Sequence, residues 1–162
     1  MEVTRVTNKN QIVLEYLKQC PGIKHLFFEY GERSDDAIHL LTSSVEKATR
    51  TEYIDGSQPK RLDYTIVWHK ALSYMPVMSE PGTPDPAVAE LDDVQSIIEW
   101  INAQERAHNY PEFGINCPVD RVHCLNDVPQ LAGIDTRYNP PLARYSFTVR
   151  FEYIDMTHCV FN

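Results

Sequence analysis

The sequence predicts an α+β fold: a mostly antiparallel sheet with two main helices packed on one of its faces. Two segments carry apolar residues at helical spacing, and two others alternate apolar with polar residues over long runs. Helix faces this apolar need a sheet to cover them, and strands buried on one side only supply that surface. A single domain spanning residues 1–162 is expected, because a chain of this size buries roughly 68–70% of its unfolded surface without disulfide staples.

The first helix covers residues 7–20, with Ile12, Val13, Tyr16, Leu17 and Cys20 on one side and Lys9, Gln11, Glu15 and Lys18 on the other. Pro21-Gly22 ends it, since proline lacks the amide proton and glycine suits the turn past a helix end. Residues 25–30 and 37–42 read as short strands around a polar turn at 31–36. Their nearly continuous apolarity predicts burial on two faces or a sheet covered by helices. Residues 45–54 run into Asp55-Gly56-Ser57 and then into 60–74, which together read as a hairpin with a loop longer than two residues. In the second arm Leu62, Tyr64, Ile66, Trp68, Leu72 and Tyr74 share one face, and Asp63, Thr65, His69 and Ser73 the other.

Residues 76–86 hold four prolines and one glycine, and are expected to form a mobile loop crossing from sheet to helix. Asp85-Pro86 looks like an N-cap followed by a first-turn proline. The second helix then runs to about residue 108, with Leu91, Val94, Ile98 and Ile101 in a stripe widened by Ile97, and Asp92, Asp93, Glu99 and Glu105 off it. Residues 110–114 end it, 117–125 form a strand, and 126–141 a long irregular connection. The last strand, 142–154, places Tyr145, Phe147, Val149, Phe151 and Tyr153 on one face and Arg144, Ser146, Thr148, Arg150 and Glu152 on the other. Residues 155–162 receive no element.

Apolar residues make up 43% and charged residues 23%, which excludes wholesale disorder, a collagen and a coiled-coil rod. No apolar run approaches the roughly 20 residues of a membrane-spanning helix, so no membrane partner is expected. The first ten residues are polar and lack a secretory leader's apolar stretch, so the product is expected to stay in the compartment where it is made. Fifteen Lys and Arg against 23 Asp and Glu leave a net charge of −8 and a pI near 5.2. Lys60-Arg61 is the densest basic pair, and Arg144 and Arg150 are isolated, so nucleic acid is not expected to bind by charge. The four cysteines, Cys20, Cys117, Cys124 and Cys159, form no Cys-x-x-Cys. They are expected to be free thiols packed as small hydrophobes, not a zinc ribbon or dithiol site.

The chain holds no Gly-Lys-Ser/Thr phosphate loop, no Gly-x-Gly-x-x-Gly, no His-Glu-x-x-His and no Gly-x-Ser-x-Gly elbow. Three constellations remain. His123-Cys124 and His158-Cys159 put imidazole beside thiol, but neighbours in a strand point to opposite faces, so a Cys–His couple would need adjoining strands. His25, His39 and His69 lie in predicted strands and could converge on a metal, though nothing in their spacing requires it. Asp92-Asp93 and Glu99 could pair for acid–base work; a solvated helix face, with both aspartates favoured near its N-terminus, accounts for them better. No catalytic residue, cofactor or metal is assigned, and a small metal- or thiol-dependent enzyme using His69, His123 or Cys124 is the remote alternative. Tyr110, Phe113 and Tyr138 sit beside Pro or Gly in irregular segments, either as anchors for protein contacts or as minor core at the sheet edges.

Three stretches together carry a resemblance. They are Tyr53-Ile54-Asp55-Gly56-Ser57 with Lys60-Arg61 and Tyr64-Thr65-Ile66; Val94-Gln95-Ser96-Ile97-Ile98-Glu99-Trp100-Ile101 running to Asn109-Tyr110-Pro111-Glu112-Phe113-Gly114; and Ala132-Gly133-Ile134-Asp135 followed by Asn139-Pro140-Pro141-Leu142-Ala143-Arg144-Tyr145-Ser146-Phe147. In order and spacing they resemble the tail terminator, or minor capsid, proteins of phages and prophages of Gram-positive bacteria. The resemblance implies a tail-terminator-like domain that forms a ring, commonly hexameric, at the head-proximal end of the tail tube in the virion, assembled in the host cytoplasm. Such a ring stops tube polymerisation and joins tail to head. It implies as partners further copies of the chain, the tail-tube protein and a head completion or connector protein, with DNA only as passing cargo past an acidic lumen. A neck or connector protein, or a tail-tube subunit, is the alternative in the same setting. The candidate contact residues on this reading are Asp55, Lys60, Arg61, Asp92, Asp93, Glu99, Tyr110, Phe113, Tyr138, Arg144 and Arg150, with the two arginines meeting Asp92, Asp93 or Glu99 of the next subunit.

Overall fold

The computed structural model describes residues 8–29, 31, 35–43, 53–72, 81 and 91–157. In chain order these give α1 (Lys9–Leu17), β1 (His25–Phe28), β2 (Ala37–Thr42), β3 (Gln58–Ala71), α2 (Asp92–Arg106), β4 (Val119–Cys124), β5 (Gln130–Asp135) and β6 (Leu142–Asp155). The described strands form one six-stranded sheet in the order β1-β2-β3-β6-β4, with β5 also paired to β6. Only β1 and β2 run parallel. The mostly antiparallel α+β architecture is therefore the one the patterning predicts.

β6 is the axis. It pairs with β3 along its whole length, from Gln58 opposite Asp155 to Ala71 opposite Leu142. Its other edge is shared end to end by β4, along Val149 to Tyr153, and β5, along Leu142 to Ser146. The gap between them is bridged where Leu125 N donates to the Thr148 carbonyl at 2.8 Å and Thr148 N donates to Asn126 Oδ1 at 2.9 Å.

Alternation in β3 and β6 explains the core. Tyr64, Ile66 and Trp68 lie beside Val149, Phe147 and Tyr145 in register, and all six are buried. Val13, Tyr16 and Leu17 of α1 and Val94, Ile97, Ile98 and Ile101 of α2 belong to the same apolar cluster, so both helices cover one sheet face. Burying each large apolar side chain contributes roughly 1.5–3 kcal/mol, which is what holds the two layers together. Polar bonds set the helices on the sheet: Tyr64 Oη donates to Asn10 Oδ1 at 2.6 Å, and Tyr16 Oη to the Asn109 carbonyl at 2.8 Å. Asn8 caps α1 by accepting from Asn10 N at 2.9 Å. Asp92 and Asp93 in the first turn of α2 and Arg106 in its last complement the helix dipole.

Several boundaries differ from the sequence reading. α1 ends at Leu17, and tight bonds from Gln19 N to the Tyr16 carbonyl and Cys20 N to the Leu17 carbonyl close its final turn before Pro21. The described part of α2 starts at Asp92 and stops at Arg106. Tyr53 to Gly56 form a turn, not the end of a strand; Gly56 takes φ +86°, and Asp55 Oδ1 accepts from Ser57 N and Oγ at 3.0 and 2.6 Å. The rest of the first hairpin arm, the Asp85-Pro86 cap, nearly all of the proline-rich loop and the last five residues lie outside the described residues. The connection at 126–141 is not wholly irregular, because it contains β5. No described helix is long and apolar enough to cross a membrane.

Candidate functional site: the open sheet face and its outer edge

The face of the sheet away from α1 and α2 is covered by no described helix. Register places Asp63, Thr65, Val67 and His69 of β3 there, beside Arg150, Thr148, Ser146 and Arg144 of β6. Arg150 grips Asp63 through both arms of its guanidinium, Nε to Oδ1 at 2.8 Å and Nη2 to Oδ2 at 3.0 Å, and so holds that carboxyl below the usual range. His123 of β4 stands opposite Arg150, with Nδ1 3.9 Å from a Glu152 oxygen. Burial, then the charge of Arg121, keeps its imidazole below its ordinary pKa.

Ion pairs also tie the ends of the sheet. Lys60 Nζ sits 2.6 Å from Asp155, and this ammonium, with Thr157, holds the Asp155 carboxyl well below the carboxylate range. Lys70 joins Asp36 at 2.9 Å and Asp93 at 3.2 Å, with its ammonium 4.6 Å from the Trp68 ring centre. Burial works against the Asp36 charge, but Lys70 and the Trp68 indole outweigh it and lower the pKa.

These pairs bear on the contact residues predicted from sequence. Arg150, Asp93 and Lys60 are engaged inside the chain, where they fix register between elements. Asp55 serves its own turn, and Arg61 stands opposite Glu152. Asp92 and Glu99 lie exposed on α2, and Tyr138 is exposed after β5. Tyr110 is half-buried, with its hydroxyl 3.1 Å from His108 Nδ1. Phe113 is a correction: it is only 6% exposed and packs against Phe151 and Tyr153, so it is core and not a contact anchor. Proline and glycine neighbours mark the loop but do not say which way its ring turns.

The chemical constellations disperse. His123 lies on the open face while Cys124 pairs with Val149 and packs toward the core, where burial pushes its thiol up to about 12. That is the opposite of an activated nucleophile. Cys20, Cys117 and Cys124 are unbridged thiols. His39 and His69 meet edge to face with ring centres 4.9 Å apart, whereas His25 starts β1 exposed. Among the described residues no three His, Cys, Asp or Glu side chains gather as metal ligands. His158-Cys159 lies outside the described residues.

Sequence reasoning missed the outer edge. Leu125, Val128, Leu131 and Ile134 are 44%, 61%, 55% and 49% exposed, and they line the β4–β5 course along β6. A second exposed apolar group, Tyr53, Ile54 and Ile115, belongs to the opposite end of the sheet, where β3 and β4 begin. The sequence signal for the first was the apolar residue recurring every three positions from 125 to 134, a spacing that fits neither a regular strand nor a helix. No protein-family model matches the chain, and no curated protein matches it.

Proposed function

We propose that this chain is a ring-forming structural protein of a phage tail, which caps the head-proximal end of the tail tube and joins it to the head. The observation that supports the reading best is the pair of unlike apolar surfaces, an edge strip and a sheet-end tip, on one small α+β chain. Exposed large apolar side chains at two separate places on a folded domain offer contact surfaces. Two different surfaces suit a heterologous contact, in which the strip of one copy meets a different part of the next and rotation closes the ring. The charged groups already paired on the open face add register and little affinity, as surface pairs do. The net charge of −8 suits a lumen through which DNA passes without sticking. The combined stretches that resemble tail terminators add the ring's place in the particle, and six copies is the stoichiometry they imply.

Electron microscopy of phage particles assembled without this protein tests the role. Overlong tubes without heads are the expected result. Tubes of normal length that lack only heads would assign a connector instead, and normal virions would remove the assembly role altogether.

A further inference from the structure

The open sheet face also bears a half-open cavity of about 170 Å3, lined among others by Glu29, His39, Val67, His69 and Arg144. That space holds several waters or one small polyatomic group, and is well below the roughly 300–1,000 Å3 of sites for drug-sized ligands.

Register builds its walls. His39 stands opposite Val67, and His69 opposite Arg144, so β2, β3 and β6 each contribute a polar side chain to one face. Both imidazoles are nine-tenths buried or more. His69 Nδ1 lies 3.1 Å from the Ala37 carbonyl, and donation there leaves Nε2 as the ring's other polar atom, an acceptor when neutral and a donor when protonated. Arg144 differs from the arginines around it. Its guanidinium lies over Gly133, where an added Cβ would come 2.9 Å from Nη2, and its Nε is buried with no hydrogen-bond partner. Asp135, whose charge Arg144 feels, is gripped by Arg137 at 2.9 and 2.7 Å. A guanidinium only donates and keeps its charge, so a buried N–H of this kind calls for an acceptor, a water or an anion.

We infer that this cavity binds one small oxyanion of the phosphate or carboxylate class, held by Arg144 and walled by His39 and His69. The carboxylate that also lines the cavity, Glu29, accepts from the Thr42 hydroxyl. Glu29 N bonds the Leu40 carbonyl of β2, so this carboxylate stands on the β1–β2 side of the cavity, tied to Thr42, and Arg144 on the β6 side. The site stands apart from the assembly reading and does not need it.

Sodium phosphate and sodium acetate, titrated separately into the full chain against chloride at constant ionic strength, test the inference. The readouts are calorimetric affinity and the histidine ring signals in proton–carbon correlation spectra. The expected result is saturable shifts of the His39 and His69 signals, with the anion that saturates first naming the preferred class. Arg144→Gln weakens that affinity at least tenfold, while Arg121→Gln, at an exposed arginine on β4, leaves it unchanged. Shifts that rise linearly, saturable shifts confined to other histidines, or equal affinity in Arg144→Gln overturn the site. Should Arg144→Gln fail to fold, the wild-type shifts decide alone.

Discussion

Replacing Phe151 with alanine removes the ring at which four parts of the fold meet. Phe151 is fully buried, and its ring centre lies 6.0 Å from Tyr16 on α1, 5.8 Å from Tyr64 on β3 and 6.2 Å from Phe113 in the segment after α2. β6 is clamped there on both edges, by Leu62 of β3 and Val122 of β4, so the backbone has little freedom to close over the void. Buried Phe→Ala changes cost about 3–5 kcal/mol, and a site that cannot collapse belongs in the upper half of that range. Against a typical total of about 5–15 kcal/mol, the loss is a large share of the stability. At about 2–4 °C per kcal/mol for a domain of this size, Tm falls by roughly 8–20 °C. Urea titration followed by circular dichroism should give a lower midpoint with unchanged slope, and Phe151→Leu should fall between wild type and alanine. A loss below about 1.5 kcal/mol for the alanine variant would refute the packing argument, because it requires this ring to sit at the junction of both layers.

Tyr64→Phe removes the hydroxyl that fastens α1 to β3 through Asn10, and should cost about 1 kcal/mol in the same titration; a neutral effect would detach α1 from that bond. Asp63 and Asp155 have depressed pKa values in the fold, so their contribution to stability is present above about pH 4 and lost as pH falls through their folded values. Urea midpoints should therefore drop in that acid window, and Asp63→Asn should flatten the drop; an unaltered pH profile in the variant would contradict the Arg150 pairing. The Cys124 thiol should resist iodoacetamide in the native protein at neutral pH and react readily in urea, as read by peptide mass spectrometry. Leu131→Ser with Ile134→Ser, both at half-exposed positions, should shift the urea midpoint little yet weaken self-association at least tenfold in sedimentation velocity.

The parts of the fold legible in the sequence are those where one face is apolar and the other is not. α2, β3 and β6 follow from the spacing of Val94, Ile98 and Ile101 and from the alternation through Tyr64 to Trp68 and Tyr145 to Tyr153, since burial on one side dictates that pattern. β5 was not legible. It is exposed on most positions, and a register shift between Leu131 and Gly133 breaks its alternation, so the two-residue period of a strand is missing. Ion pairing was equally hidden: Asp63 and Arg150 lie 87 residues apart, and only the β3–β6 register brings them together. The same register sets His69 beside Arg144 and so builds the cavity that no motif announces. Phe113 shows the limit at loops, where neighbouring Pro111 and Gly114 indicate a turn and leave the direction of the ring to tertiary packing.

Native mass spectrometry of the purified chain over a wide concentration range, alone and with tail-tube protein, measures the proposed assembly most directly. The account predicts one closed species of fixed copy number, six by resemblance, that dissociates in the Leu131→Ser, Ile134→Ser variant. Monomer at every concentration and in the presence of tube ends would contradict it.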